Sequence, residues 1–369
     1  MHRSATRLLP VILLFLILCV VSGCFLLPLT QDDKTPSSTT AASTAASPFD
    51  TMSTTAGSPA DTTAAETTDG TPDQTTAETT VTEPPQTDAP SITKEQLMAQ
   101  LAAVIEPLSA RQMFVYEVST DTMLAQKGED SRILPASVTK LLTALYALHV
   151  APADLLITPR DELSLVSSGS SIAYIKSHHT LTVEMLIEGM MLPSGNDAAY
   201  ALAAGVARYQ TGNDALGGAA AVTHFMNGLN EYAKTLGCTG THYVVPDGLC
   251  YEGHYSTNHD MVLIGKAALN NPIIAKYAKT ASERVVYQSG HTNTWTNTNK
   301  FLHPDSGYYN PHVTGLKTGS LTGRYSLYIS AEYEGNVYLI GVFDSVGTTR
   351  RYDEAKAALD VLGVYYAFK

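Results

Sequence analysis

The chain has 369 residues, a formal net charge of −12 and 44% hydrophobic residues, so it can bury a sizeable core, and its charge does not suggest a nucleic-acid binder. The acidity is unevenly placed: residues 31–89 hold ten acidic side chains and one lysine, a net of −9, and two arginines precede them, which leaves −5 for the rest. Most of the charge therefore says little about substrate, and no basic patch or aromatic-interleaved groove appears.

Arg3 and Arg7 precede an apolar run from Leu8 to Val21, followed by Ser22, Gly23 and Cys24. The run is short for a bilayer span. Its basic start, apolar middle and small residues predict a secretory signal over residues 1–23, which places the mature protein outside the cytoplasm. Val21-Ser22-Gly23-Cys24 resembles the lipobox of bacterial lipoproteins, and that resemblance implies cleavage before Cys24 and a lipid on its sulfur. A signal peptide that merely ends near a cysteine is the alternative. Residues 24–91 are mainly Thr, Ser, Ala, Pro and acidic residues, which cannot repay the entropy of folding and read as a disordered tether. As a random coil it would span roughly 45 Å r.m.s..

From residue 92 to 369 the composition is that of one globular domain. Met113 to Val118 and Thr122 to Lys127 predict a hairpin around Ser119-Thr120-Asp121. Helical patterns follow at Val138 to His149, Val183 to Met191, Ala198 to Ala207, Val222 to Leu236 and Met261 to Leu269. A second hairpin is predicted from Tyr325 to Phe343, turning at Glu334-Gly335-Asn336. The economical architecture is α+β: one antiparallel sheet built from both chain ends, with packed helices and a mainly helical lobe between. Cys238 and Cys250 could pair in an oxidising location, but their separation does not require it.

Ser137-Val138-Thr139-Lys140 opens a helical run, and residues three apart share a helix face. A lysine held beside a serine in a water-poor pocket can lose its charge and take the hydroxyl proton. Alone the motif is weak, since an N-cap serine with a solvated lysine has the same spelling. Ser194-Gly195-Asn196 falls between two helices, where a hydroxyl and an amide can face a cleft; a capped turn is the bland reading. A second Ser-x-Asn, Ser256-Thr257-Asn258, directly precedes a helix and is explained by capping. Lys317-Thr318-Gly319 sits just before the C-terminal hairpin. On a strand edge its ammonium and hydroxyl can hold a carboxylate, the glycine permits close approach, and the N–H of Ser320 could join that of Ser137 around an oxyanion.

The ordered set Ser-x-x-Lys, Ser-x-Asn, Lys-Thr-Gly changes the odds. With the blocks Pro135 to Ala147, Met190 to Leu202, Met226 to Leu249, His254 to Met261, Asn297 to Leu302 and Gly315 to Thr322, the chain from about Gln112 onward resembles the low-molecular-mass penicillin-binding D-alanyl-D-alanine carboxypeptidases. The resemblance implies a β-lactamase/transpeptidase-like fold without a cofactor or metal. It implies Ser137 as the acyl-forming nucleophile, Lys140 as its base, and Ser194 with Asn196 for proton relay and positioning. Lys317, Thr318, Gly319 and Ser320 would bind the substrate terminus together with an arginine, for which Arg351 matches better than Arg350. The substrate implied is the D-Ala-D-Ala end of a peptidoglycan stem peptide, with β-lactams acylating the same serine and the lipid on Cys24 replacing a C-terminal membrane anchor. Departures are Val245-Pro246-Asp247, where the family usually has an Asn-Pro-His-like sequence, and Gly323-Arg324, where an Ala-Gly pair is common.

A class A-like serine β-lactamase shares these motifs but needs a Glu-x-x-Leu-Asn element, and beside Leu229-Asn230 the glutamate's place is held by Met226. A non-catalytic cell-wall-binding lipoprotein would have little reason to keep Ser137, Lys140, Ser194 and Lys317. A zinc peptidase is weaker, because His178-His179, His254 and His259 have no familiar ligand spacing.

Overall fold

A computed structural model describes residues 91–369 apart from 130 and 250. The expected signal peptide, Cys24, nearly all of the tether and Cys250 lie outside the described residues. The described part opens with helix α1 (Lys94–Ile105), started by a capping box in which Thr93 and Gln96 satisfy each other's backbone N–H. The first hairpin follows as β1 (Gln112–Glu117) and β2 (Thr122–Lys127). Then come α2 (Lys140–Val150), the short pair β3 (Leu156–Ile157) and β4 (Leu181–Thr182), α3 (Val183–Met191), α4 (Asn196–Thr211), α5 (Gly218–Thr235), α6 (Asn258–Asn270) and α7 (Pro272–Lys279). A hairpin of β5 (Ser282–Val286) and β6 (Thr292–Thr296) precedes β7 (Val313–Leu321), β8 (Arg324–Tyr333), β9 (Asn336–Ser345) and α8 (Arg350–Phe368).

The main sheet is five-stranded in the order β2-β1-β9-β8-β7, with antiparallel neighbours throughout. The two chain ends thus meet in one sheet, as expected from the two hairpins. Period-two alternation sorts its side chains between two cores. Met113, Val115, Leu327, Ile329, Ile340 and Val342 face α1 and α8, whose Leu97, Leu101, Ala355 and Leu359 are buried against them. Phe114, Tyr328, Leu339 and Phe343 point the other way, into a core shared with α2 to α7. The sheet therefore forms a wall with helices on both faces, and the larger helical lobe grows from one of them.

Helix starts in that lobe are set by short polar side chains. Thr182 caps α3, Thr257 caps α6 and Asn271 caps α7, each worth about 1 kcal/mol. The second Ser-x-Asn is thus a capping sequence, as read. The β5–β6 hairpin packs on the lobe through Trp295, which is buried and donates its indole N–H to the Ala173 carbonyl at 3.0 Å. β7 is an edge strand, so the Lys317-Thr318-Gly319 segment lies beside an open groove.

Candidate active site

Ser137 does not open an α-helix. It lies in a 3₁₀ turn (Ala136–Thr139), and the α-helix begins at Lys140. In a 3₁₀ turn residues three apart eclipse, which brings Ser137 and Lys140 together more directly than α-helical spacing does. Two neighbouring segments clamp the turn. A Cβ at Gly319 would lie 2.8 Å from the Pro135 carbonyl, and one at Gly248, whose φ is +83°, would lie 1.9 Å from that of Ala136. Glycine at both positions lets β7 and the 247–249 loop close on the nucleophile turn. Ala136 itself has φ +52°, a left-handed conformation that costs an alanine on the order of 1 kcal/mol.

Lys140 is fully buried, and its Nζ meets three acceptors: Ser137 Oγ at 2.8 Å, Asn196 Oδ1 at 2.8 Å and the Asp247 carbonyl at 3.0 Å. Burial pulls its pKa down to about 8, against the fields of Asp247 and Asp197, which favour the ammonium. Near neutrality a useful fraction of the amine is uncharged, with a lone pair facing a serine hydroxyl. Asn196 is the first residue of α4; accepting from lysine with its oxygen leaves its NH₂ to donate elsewhere. Asp197 anchors the opposite rim, its carboxylate accepting from the N–H groups of Ala173 at 2.7 Å and Ile175 at 2.8 Å.

Ser194 stands in the α3–α4 loop at φ +62° and is buried. Among the described residues its hydroxyl has no hydrogen-bond partner, so it is near Asn196 in the chain without being joined to Lys140. Lys317 is buried on β7, donates to the Thr318 carbonyl at 3.2 Å, and is held well below the usual lysine pKa by burial and by the charges of Lys140 and Arg351. Thr318 shares a 2.5 Å hydroxyl contact with Thr298. Arg351, 8% exposed at the start of α8, reaches back to β7 and donates to the Gly319 carbonyl at 2.6 Å and Ser320 Oγ at 3.1 Å. Arg350 faces solvent instead, 3.9 Å from Glu354. The structure thus gathers Ser137, Lys140, Asn196, Lys317, Thr318, Gly319, Ser320 and Arg351 around one groove.

A cleft of about 970 Å³ opens over Ser137, Asn196 and Ser320, rimmed by Ser167 to Ser171, Leu249, Tyr251 and Arg324. Sequence reading missed the serine-rich rim, the Asp247 carbonyl and Thr298. A signal was present for the rim, since Ser167-Ser168-Gly169-Ser170-Ser171 is a polar, glycine-broken run of loop type. Asp247 is 1% exposed; its Oδ1 accepts from Leu249 N–H at 3.1 Å and its Oδ2 is buried without a partner among the described residues. Met226 belongs to the core of α5, and Asn230 exchanges two 2.8 Å hydrogen bonds with the backbone of Tyr243, so this stretch packs structurally and brings no carboxylate to the cleft.

A sheet with a helical lobe and a serine–lysine pair under an edge strand defines a β-lactamase/transpeptidase-like domain. The family model described as D-alanyl-D-alanine carboxypeptidase matches residues 98–345, and the chain belongs to that family. It is 29% identical over 246 residues to the D-alanyl-D-alanine carboxypeptidase DacF of Bacillus subtilis, covering 65% of this chain and 58% of that one. With DacC of Escherichia coli the identity is 30% over 263 residues, covering 68% and 60%. The chain therefore spans about three fifths of the length of these two relatives. The Streptomyces K15 DD-transpeptidase structure superposes with a TM-score of 0.62 at 29% identity, covering 70% of this chain and 98% of that one.

Proposed function

We propose that this chain is a serine D-alanyl-D-alanine carboxypeptidase acting on peptidoglycan stem peptides, and that β-lactams acylate it at Ser137. The observation that carries the reading is the buried Lys140 amine, 2.8 Å from Ser137 Oγ and held there by Asn196 and Asp247. Uncharged Lys140 would accept the Ser137 proton as Oγ attacks the carbonyl carbon of the penultimate D-alanine. The oxyanion would be met by the N–H groups of Ser137 and Ser320, the latter on the open edge of the sheet. As the tetrahedral intermediate collapses, the peptide C–N bond breaks and the leaving amine takes a proton from the Lys140 ammonium; Ser194, which is not hydrogen-bonded to Lys140 here, would have to turn its hydroxyl towards the lysine to relay it. Water then cleaves the ester and restores the serine.

Substrate choice rests on charge. Lys317 is buried with Lys140 and Arg351 nearby, and burial together with their charges disfavours its own protonated form. A terminal carboxylate placed at Thr318 and Ser320 would relieve that repulsion, whereas an amidated or internal peptide would not. The reading extends beyond the described residues: residues 1–23 as a lipoprotein signal, Cys24 as the lipid anchor and residues 24–91 as a tether, holding the domain of residues 92–369 on the outer side of the membrane. Among the described residues no helix is long and apolar enough to cross a membrane.

The test is release of D-alanine from a diacyl-Lys-D-Ala-D-Ala peptide by the full chain, compared with Ser137→Ala and Lys140→Ala. Release by wild type that falls at least a thousandfold in both variants supports the reading. Rapid turnover of penicillin with no peptide cleavage would replace it with a β-lactamase.

A further inference from the structure

Among the described residues, Arg324 is the one charged side chain on the wall of the cleft itself, Lys140, Lys317 and Arg351 being buried beneath it. It begins β8 and faces Leu321 across the β7–β8 turn. Position along β7 gives it meaning. Lys317 and Thr318 lie midway along the strand, Gly319 lies against the Ser137 turn, and Leu321, Thr322 and Arg324 follow towards and beyond its end. A peptide laid along this edge, with its terminal carboxylate towards Lys317 and its scissile carbonyl at Ser137, directs its acyl-side residues to Arg324.

The positive charge there is not cancelled. Asp344, 7% exposed, is shared by Arg324 Nη1 and by Arg111 Nε at 3.3 Å, so two guanidinium groups stand on one carboxylate. The Arg324 side chain keeps 40% of its surface open, and Asp344 fixes its orientation while leaving N–H donors for a second partner. A planar, permanently charged fork suits recognition of a carboxylate.

We propose that Arg324 is a specificity-determining residue that recognises an anionic group on the acyl side of the donor peptide. This rests on the carboxypeptidase reading above. A merely structural arginine, tying β8 to β9 through Asp344, would be indifferent to donor charge.

The test uses two donors of near-equal size that differ in charge, Nα-acetyl-L-Lys-D-Ala-D-Ala carrying either a neutral succinamoyl or an anionic succinyl group on the lysine side-chain nitrogen. The readout is the ratio of their kcat/KM values for D-alanine release by the full chain. At low salt the wild type is expected to favour the succinyl donor about three- to fivefold, with the preference shrinking as salt rises. The ratio should approach one in Arg324→Gln and fall below one in Arg324→Glu. Labelling of each variant by a fluorescent penicillin checks that the site is folded. A wild-type ratio of one, or a preference that survives in Arg324→Glu, overturns the proposal. Release from neither donor by wild type removes the underlying carboxypeptidase reading, and the proposal with it.

Discussion

The Nε2 of His254 lies 2.9 Å from Thr139 Oγ1, two residues beyond Ser137, and both side chains are buried. Nδ1 of the same ring accepts from the Val244 N–H at 3.1 Å, so the proton sits on Nε2, which donates to the threonine. The ring stacks on Tyr243 with centroids 4.6 Å apart, and burial lowers its pKa to about 3. A neutral imidazole therefore ties the loop after α5 to the nucleophile turn. Replacing His254 by Ala removes packing and leaves a buried hydroxyl unpaired, and is expected to cost about 2–4 kcal/mol in denaturant unfolding and to slow penicillin acylation. The linkage has a definite sign. Because the folded value is depressed, the unfolded chain takes up the proton first, so stability falls as pH drops from about 6.5 towards about 3, and His254→Ala should lack that component.

Asp247 sets a second pH dependence. Its charge supports the ammonium form of Lys140, whose pKa is about 8. Asp247→Asn removes that support, so the amine becomes uncharged at lower pH. The acid limb of the acylation rate against pH should move down by about one unit, as expected when one nearby charge is lost. A limb that stays in place would detach Asp247 from Lys140.

The two adjacent arginines should separate cleanly. Arg351→Ala loses hydrogen bonds to Gly319 and Ser320 and one of the cations around Lys317, so KM for a D-Ala-D-Ala peptide is expected to rise tenfold or more. Arg350→Ala loses only a 3.9 Å contact between an exposed guanidinium and the buried Glu354, on the side away from Gly319 and Ser320, and should change KM less than twofold. Steady-state kinetics on both variants checks the assignment.

Glu188 on α3 is buried, with Oε1 unpartnered among the described residues, and burial together with Glu283 raises its carboxyl pKa to about 8. The folded chain holds this proton more tightly than the unfolded one. Its contribution to stability is complete below about 4.5 and is lost as pH rises through about 8. Glu188→Gln keeps the shape without the titration and should be more stable than wild type above pH 8, by roughly 2 kcal/mol, flattening the profile of Tm against pH.

The parts of the site that were legible in the sequence are those whose chemistry depends on short spacings. Ser137 and Lys140 are one turn apart, and Lys317 to Ser320 form one stretch of strand, so local geometry already places them. Helix α3 was readable to the residue because apolar side chains recur on one face and a threonine caps it. The β5–β6 hairpin was not, since only Val285 and Trp295 in it are buried and the rest is polar, which leaves too little alternation to detect. Helix α8 hid for a related reason: its buried Arg351 and Glu354 interrupt the apolar stripe. Asp247 reads in the sequence only as a departure before Gly248, because its carbonyl contact with Lys140 has no letter in the sequence and its carboxylate acts on the lysine across more than a hundred residues that only the fold brings together. The 3₁₀ start of the nucleophile helix is equally silent, being decided by tertiary clamping at Gly248 and Gly319.

The central claim is that Ser137 is the atom donor for the covalent bond, activated by Lys140. The most direct measurement is peptide-mapping mass spectrometry of the full chain after brief exposure to benzylpenicillin. One adduct per molecule, carrying the whole mass of the penicillin and localised to Ser137, absent in Ser137→Ala and formed far more slowly in Lys140→Ala, is the predicted result. An adduct on another side chain, or undiminished labelling of Ser137→Ala, would contradict it.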